Sequence, residues 1–146
     1  MPRVRSLMTI DVPLTTPNTP VSDAARLMVS SGGNSLVVFD LGMAVGIVTA
    51  RDFAKVLAEG RDPFRIHVSD IVSSPLVTIS PERSAAEAAA MMLRRKIKQL
   101  PVMKDDRLIG MITMEDLARH MSKKAIRDEI LESMGRNMDL TVPVIG

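Results

Sequence analysis

Gly46-Ile47-Val48-Thr49-Ala50-Arg51-Asp52 and Gly110-Met111-Ile112-Thr113-Met114-Glu115-Asp116 are one pattern written twice, 64 positions apart. The offset holds outward from both copies. With Val4 laid over Val68, Pro17 falls on Pro81, Ala24 and Ala25 on Ala88 and Ala89, Met28 on Met92, Leu36 on Leu100 and Val38 on Val102, with no gap through Ala54. Identity is sparse, but the apolar positions agree almost throughout, and chance does not keep such agreement in register. A fixed period of this kind marks a duplicated structural unit. The expected organisation is a first repeat over 4–60, a linker over 61–67 entered through the turn-rich run Glu59–Pro63, a second repeat over 68–121, and a helix and tail over 122–146.

Each repeat reads the same way. A short helical entry (Val4–Met8, Val68–Val72) leads to a small extended segment, Val12–Thr15 or Leu76–Ile79. Proline breaks the chain at 17 and 81 before a helix. In the second repeat Ser84 and Glu87 have capping-box spacing. In the first, Thr19 is expected to cap and Pro20 to fill the first turn, where no amide is needed. Val21, Ala24, Ala25 and Met28 recur with helical period, as do Ala85, Ala88, Ala89 and Met92, and the small alanines permit close approach to a sheet. Apolar runs follow, Ser35–Phe39 with Val45–Thr49 and Leu100–Met103 with Leu108–Thr113, each pair joined by a turn as in a hairpin. A last helix closes each copy, Ala50–Ala58 and Met114–Met121. Beyond it Ser122–Met134 continues as a charged helix with Ile126, Ile130 and Leu131 on one stripe, and 141–145 reads as strand or tail. One repeat buries too little apolar surface to stand alone; two together form a core.

Composition removes whole function classes. The 146 residues include no cysteine, which excludes a disulfide scaffold, a zinc ribbon, an iron–sulfur site and a thiol nucleophile. The two histidines, His67 and His120, are not spaced to share a metal. Hydrophobic residues at 46% and charged residues at 25% are globular values. The only rings are Phe39, Phe53 and Phe64, too few to stack bases along a strand. A net charge of +2 gives a mild bias toward anionic partners. The longest apolar stretch, Leu36–Ala50, is interrupted by Asp40 and is shorter than a membrane span. No apolar signal core follows the basic start, Met1-Pro2-Arg3-Val4-Arg5. A soluble cytoplasmic protein is the expectation.

The repeated pattern places a hydroxyl at a strand end and a carboxylate one turn into the next helix. Helix-start amides and the Thr hydroxyl suit an anionic oxygen. An ionised carboxylate only accepts hydrogen bonds, so it can take both hydroxyl protons of a ribose. The plainer reading is that Thr-x-x-Asp is a helix cap. The stretch Arg94-Arg95-Lys96-Ile97-Lys98 also divides two ways. Its cations complement the negative end of a helix, while Lys96 and Lys98 stand just before a strand, where a phosphate could lie. Asp105-Asp106 and Asp128-Glu129 read as solvated turn and helix face, and Met91, Met92, Met103 and Met111 as packing. No nucleophile, base and orienting group form a catalytic set, and there is no P-loop.

Taken together these pieces resemble a tandem pair of CBS domains, a Bateman module, from Val4 to about Met121. The second copy is the closer match, through Pro75–Pro81 and Lys98-Gln99-Leu100-Pro101-Val102; the first has Val37 where the family usually has proline. The resemblance implies an α/β (α+β) fold of two β-α-β-β-α repeats packed through their sheets with pseudo-twofold symmetry, and pairing into a homodimer. It implies a non-catalytic regulatory module, with no metal and no catalytic cofactor, that binds AMP, ADP, ATP or S-adenosylmethionine and signals to a separate effector protein. By position Asp52 and Asp116 would hold ribose, Thr49 and Thr113 would meet ribose or phosphate, and Ile47 and Met111 would flank adenine. By analogy with AMP-sensing gamma subunits, one cleft would join Ile47, Thr49, Arg51 and Asp52 to Leu76, Val77, Lys96 and Lys98. The mirror cleft would join Thr113, Glu115 and Asp116 to Val12, Pro13, Gly32 and Asn34. The lysines then make the Asp52 cleft the tighter. The rival readings are a ligand-free interaction module and a nucleic-acid binder using Arg94–Lys98 and Arg119–Lys124.

Overall fold

The computed structural model describes residues 2–72, 76–121 and 123–134. Pro75, Ser122 and the 141–145 segment lie outside them. The first half holds α1 (Val4–Leu7), β1 (Leu14–Thr15), α2 (Val21–Ser31), β2 (Ser35–Asp40), β3 (Met43–Thr49) and α3 (Ala50–Ala58). A 3-10 turn at Val68–Asp70 opens the second, followed by α4 (Ala85–Arg95), β4 (Gln99–Lys104), β5 (Arg107–Thr113), α5 (Met114–His120) and α6 (Lys123–Met134).

The 64-residue period reappears in three dimensions. Antiparallel β2 and β3 pair Ser35 with Thr49 and Val38 with Gly46, while β4 and β5 pair Gln99 with Thr113 and Val102 with Gly110. Even the irregularities correspond, at Val38/Phe39 and Val102/Met103. Pairing runs further out than the apolar runs suggested, so each hairpin closes on two residues. Leu41 and Gly42, like Asp105 and Asp106, all have positive φ, as a tight two-residue hairpin turn requires.

The sheets differ in one respect with a chemical cause. β1 runs parallel to β2, with Leu14 opposite Val37, and the Val37 amide donates to the Pro13 carbonyl at 3.0 Å. The counterpart of Val37 is Pro101, which has no N–H to donate. The segment expected as a strand at Leu76–Ile79 is accordingly reduced to a single bridge, Ile79 to Val102. Its bonds come from the Ile79 and Met103 amides, at 3.0 and 2.9 Å.

The entry segments depart from the sequence plan, which gave each to its own repeat. Val4 and Leu7 of α1 lie in the second core, among Ala85, Ala88, Met92, Leu100, Ile112 and Leu117. Val68 lies in the first core with Ala24, Met28, Leu36, Val38 and Val48. The exchange is reciprocal: Arg3 bridges Ser84 and His67 bridges Pro20, the same pairing shifted by the repeat period. Arg3 and Arg5 both reach Glu82, and Thr9 exchanges two backbone bonds with Met111, at 2.8 and 2.9 Å. The chain thus crosses β5 before it returns to β2. Hydrophobic patterning shows that a residue is buried, not in whose core.

Several helix details also resolve. The Ser84 hydroxyl accepts from the Glu87 amide at 3.1 Å, but the Glu87 carboxylate takes Arg83 instead of closing a capping box. Pro20, not Thr19, is the cap residue of α2, and the Thr19 hydroxyl pairs with that of Thr16 at 2.8 Å. α6 packs along α4, with Ile130 against the second core. Ala86 and Ala90 are buried, whereas their counterparts Ser22 and Arg26 are more open. The alanine run therefore serves two faces, one toward the sheet and one toward α6.

Thr15 is buried, and its hydroxyl has no hydrogen-bond partner among the described residues. Its counterpart is Ile79, so the position accepts an apolar side chain. Leaving a buried hydroxyl unsatisfied costs roughly 1–3 kcal/mol. Thr15→Val is expected to raise the unfolding free energy by about 1 kcal/mol in urea titration; a loss of stability would mean that the hydroxyl is satisfied.

Candidate functional site

Both Thr-x-x-Asp turns form at the same place, where an edge strand ends and a helix begins. Thr49 caps α3 and Thr113 caps α5, both in extended conformation. The Asp52 carboxylate accepts from the Thr49 amide at 2.8 Å and from its hydroxyl at 3.3 Å, through one oxygen. The Asp116 carboxylate accepts from the Thr113 amide at 2.9 Å, and the Thr113 hydroxyl accepts in turn from the Asp116 amide at 3.1 Å. Each acid therefore performs the capping role that is the plainer reading of the motif. Capping uses one carboxylate oxygen and leaves the other, with its two lone pairs, to be accounted for.

That second oxygen distinguishes the repeats. On Asp52, which is half-buried, Oδ1 has no partner among the described residues. On Asp116, which is 4% exposed, Oδ1 accepts from Arg119 Nη2 at 3.3 Å. The sequence reading gave Arg119 only to a basic stretch and missed its pairing with Asp116, although the Asp-x-x-Arg spacing on a helix was a usable signal.

β3 and β5 adjoin at the boundary between the repeats. Met111, 6% exposed, receives a hydrogen bond on its sulfur from the Ser35 hydroxyl at 3.2 Å. Ser35 stands opposite Thr49, so a residue expected to flank adenine in one repeat touches the Thr49 end of the other. Ser35 had no signal of its own.

The remaining expected residues are grouped by repeat. The Ala50 amide donates to the Asn34 carbonyl at 3.1 Å, and the Met114 amide to the Lys98 carbonyl at 2.9 Å. Pro13, with Val12 beside it, joins the β2 edge. Val77, with Leu76 before it, precedes the Ile79 bridge on the β4 side. Backbone pairing thus brings Asp52 together with Thr49 and Asn34, while Pro13 bonds farther along β2, to Val37. It brings Asp116 together with Thr113 and the Lys98 carbonyl, and no described contact sets Lys96 or Lys98 against Asp52. Ile47 is half-buried on β3, and Arg51, Lys96 and Lys98 are exposed.

Lys96 carries an unusual backbone. It caps α4 with φ 56°, in the left-handed region, where the first repeat has Gly32 at φ 74°. A non-glycine residue there is held at a cost of roughly 1–2 kcal/mol.

A cavity of about 130 Å³ opens beside Asp52, lined by Lys55, Val56, Glu59 and Arg61 and by Asp70 and Ile71 from the exchanged entry. A larger one, about 470 Å³, lies along the outer side of α4 between Thr78–Ser80 and Arg83, Glu87, Met91 and Arg94, and includes none of the expected residues. Among the described residues no three acids or histidines cluster as a metal site, and no helix is long and apolar enough to cross a membrane.

Comparison with known proteins follows this geometry. The model of the CBS domain matches residues 4–59 and 68–123. A CBS domain-containing protein, YhcV, of Bacillus subtilis is 33% identical over 119 residues, covering 81% of this chain and 84% of that protein. The chain spans about half the length of two further curated relatives. The CBS domain pair of protein MJ0100, solved with 5′-methylthioadenosine and S-adenosylmethionine, superposes with a TM-score of 0.76 at 26% identity, over 84% of this chain and 97% of that one. A hexameric CBS-CP12 protein from bloom-forming cyanobacteria gives 0.74 at 29% identity, over 80% and 66%. With two matched domains in register with the internal repeat, this chain belongs to the CBS-domain family as a tandem pair.

Proposed function

We propose that this CBS pair is a non-catalytic sensor that binds an adenosyl ligand at the boundary between its repeats. The carrying observation is the second Asp52 oxygen, unpartnered among the described residues: the capping carboxylate retains acceptor capacity beside Thr49, whose strand partner Ser35 touches Met111 of the other repeat. A ribose has two adjacent hydroxyls to donate there. AMP, ADP, ATP and S-adenosylmethionine all carry this group, and the MJ0100 pair is similar to this chain. Preference for the Asp52 end rests on that open oxygen. Ligand seated between the repeats would bias their relative geometry, and an effector protein would read the shift. A homodimer is the assembly we infer.

The test is thermal and chemical denaturation with AMP, ATP, adenosine or S-adenosylmethionine. A site filled at 100 times its dissociation constant adds roughly 2.7 kcal/mol. No shift with any of them at millimolar concentration would return the chain to the rival reading, a ligand-free interaction module. The buried, fully engaged Asp116 favours that rival at its own end.

Lys96 supplies a separate check. Strain at a non-glycine position points to a side chain kept for a purpose. Lys96→Gly is expected to stabilise the fold by about 1 kcal/mol while weakening AMP binding several-fold and leaving adenosine binding unchanged. Equal AMP affinity in the variant would make Lys96 no more than a helix end.

A further inference from the structure

The two Thr-x-x-Asp ends descend from one pattern, yet their carboxylates are not in the same state. Both oxygens of Asp116 are engaged, Oδ2 by the Thr113 amide and Oδ1 by Arg119. Asp52 is engaged through Oδ2 alone. The residue in Arg119's place is Lys55, which makes no ion pair with Asp52 among the described residues. The planar guanidinium presents several donors in a fixed fork, whereas a lysine ammonium is a hydrated point charge on a flexible stem. Asp116 is buried and Arg119 is 68% exposed, so the arginine acts as the outer cover of an otherwise enclosed acid and is free to swing into solvent.

We propose that Arg119 competes with the ligand's ribose for Asp116, so that the Asp52 end accepts an adenosyl ligand directly and the Asp116 end accepts one only as Arg119 lets go. This rests on the reading that the two acids hold ribose. Ribose hydroxyls need an open acceptor, and here the acceptor is already occupied by a donor from one turn along the same helix. An ion pair so exposed on one side contributes little, at most about 1 kcal/mol. The competition is therefore a matter of up to about fivefold in affinity, enough to order the filling of two ends without closing either. Lys98, whose carbonyl accepts from the Met114 amide at the start of α5, and Glu115 and His120 on α5 are the other charged or titratable residues nearest the Asp116 end, and a ligand without phosphate keeps Lys98 out of the measurement.

The experiment is calorimetric titration of adenosine into the Asp52→Asn protein, in which only the Asp116 end retains its acid, with and without Arg119→Lys or Arg119→Gln. Lysine copies the first repeat and glutamine removes the charge. At an exposed position neither is expected to alter the melting temperature by more than a degree or two. Adenosine should bind up to about fivefold more tightly in both Arg119 variants, and with Asp52 intact its two binding steps should draw together. Unchanged or weaker binding in both variants overturns the competition while leaving the sensor reading in place, provided that Asp52→Asn combined with Asp116→Asn abolishes binding. If that double variant binds adenosine as the native protein does, or if the native protein does not bind it at all, the ribose reading fails and this inference with it.

Discussion

Gly110→Ala is expected to lower the unfolding free energy by about 2–4 kcal/mol. A Cβ at Gly110 would stand 2.9 Å from the Thr9 carbonyl oxygen and 2.9 Å from the Met8 sulfur. The methionine can turn away, but the carbonyl belongs to a backbone held to Met111 by two hydrogen bonds. Relief therefore requires the crossing segment to lift from β5. Overpacking of this kind costs about 1–3 kcal/mol, and each backbone bond lost adds roughly 0.5–1.5 kcal/mol. Urea denaturation measures the sum, and proteolysis near Thr9 should accelerate in step. If stability is unchanged, the arm does not lie where this packing requires.

The second large effect separates the two acids. Asp116→Ala is expected to cost about 2–3 kcal/mol and Asp52→Ala about 1 kcal/mol. Removing Asp116, itself buried, leaves the Thr113 amide without its acceptor and strips Arg119 of its partner. Charge-assisted bonds to buried groups are the expensive ones to lose. Asp52 gives up a similar cap in a half-open setting where water can replace it, near the usual cost of a lost cap. In ligand binding the order should reverse, with adenosine affinity falling more for Asp52→Ala than for Asp116→Ala. Equal stability losses would mean that Asp116 is as open in solution as Asp52.

Much of this was legible beforehand, for identifiable reasons. The duplicated frame appeared because strand and helix periods constrain apolar spacing, and Val4, Met28, Leu36, Leu100 and Val102 obey it in both copies. The Thr-x-x-Asp turns could be placed because a cap needs a hydroxyl and a carboxylate at that separation. The exchange of Val4 and Val68 between cores was not legible, since burial patterns name no partner. The weakened strand at Leu76–Ile79 was hidden in Pro101, a proline whose missing donor matters only once its neighbour is known. At the site, the sequence distinguished Asp52 from Asp116 only by the cations assigned to the Asp52 cleft. Arg119, Lys55 and the difference in burial separate them, and those depend on how each helix lies against its surroundings.

The crossing of the entry segments bears on how such a chain can be divided and how it arose. Severed within 61–67, it would yield one piece carrying α1 without the core that α1 fills, and another carrying Val68 in the same predicament. Neither fragment has a finished interior, so mixing them should restore the native spectrum while each alone remains molten. A molecule with a single repeat would face the same shortage, and trading arms with an identical molecule would meet it. Fusion of two such genes would then have turned a partnership between chains into a covalent one.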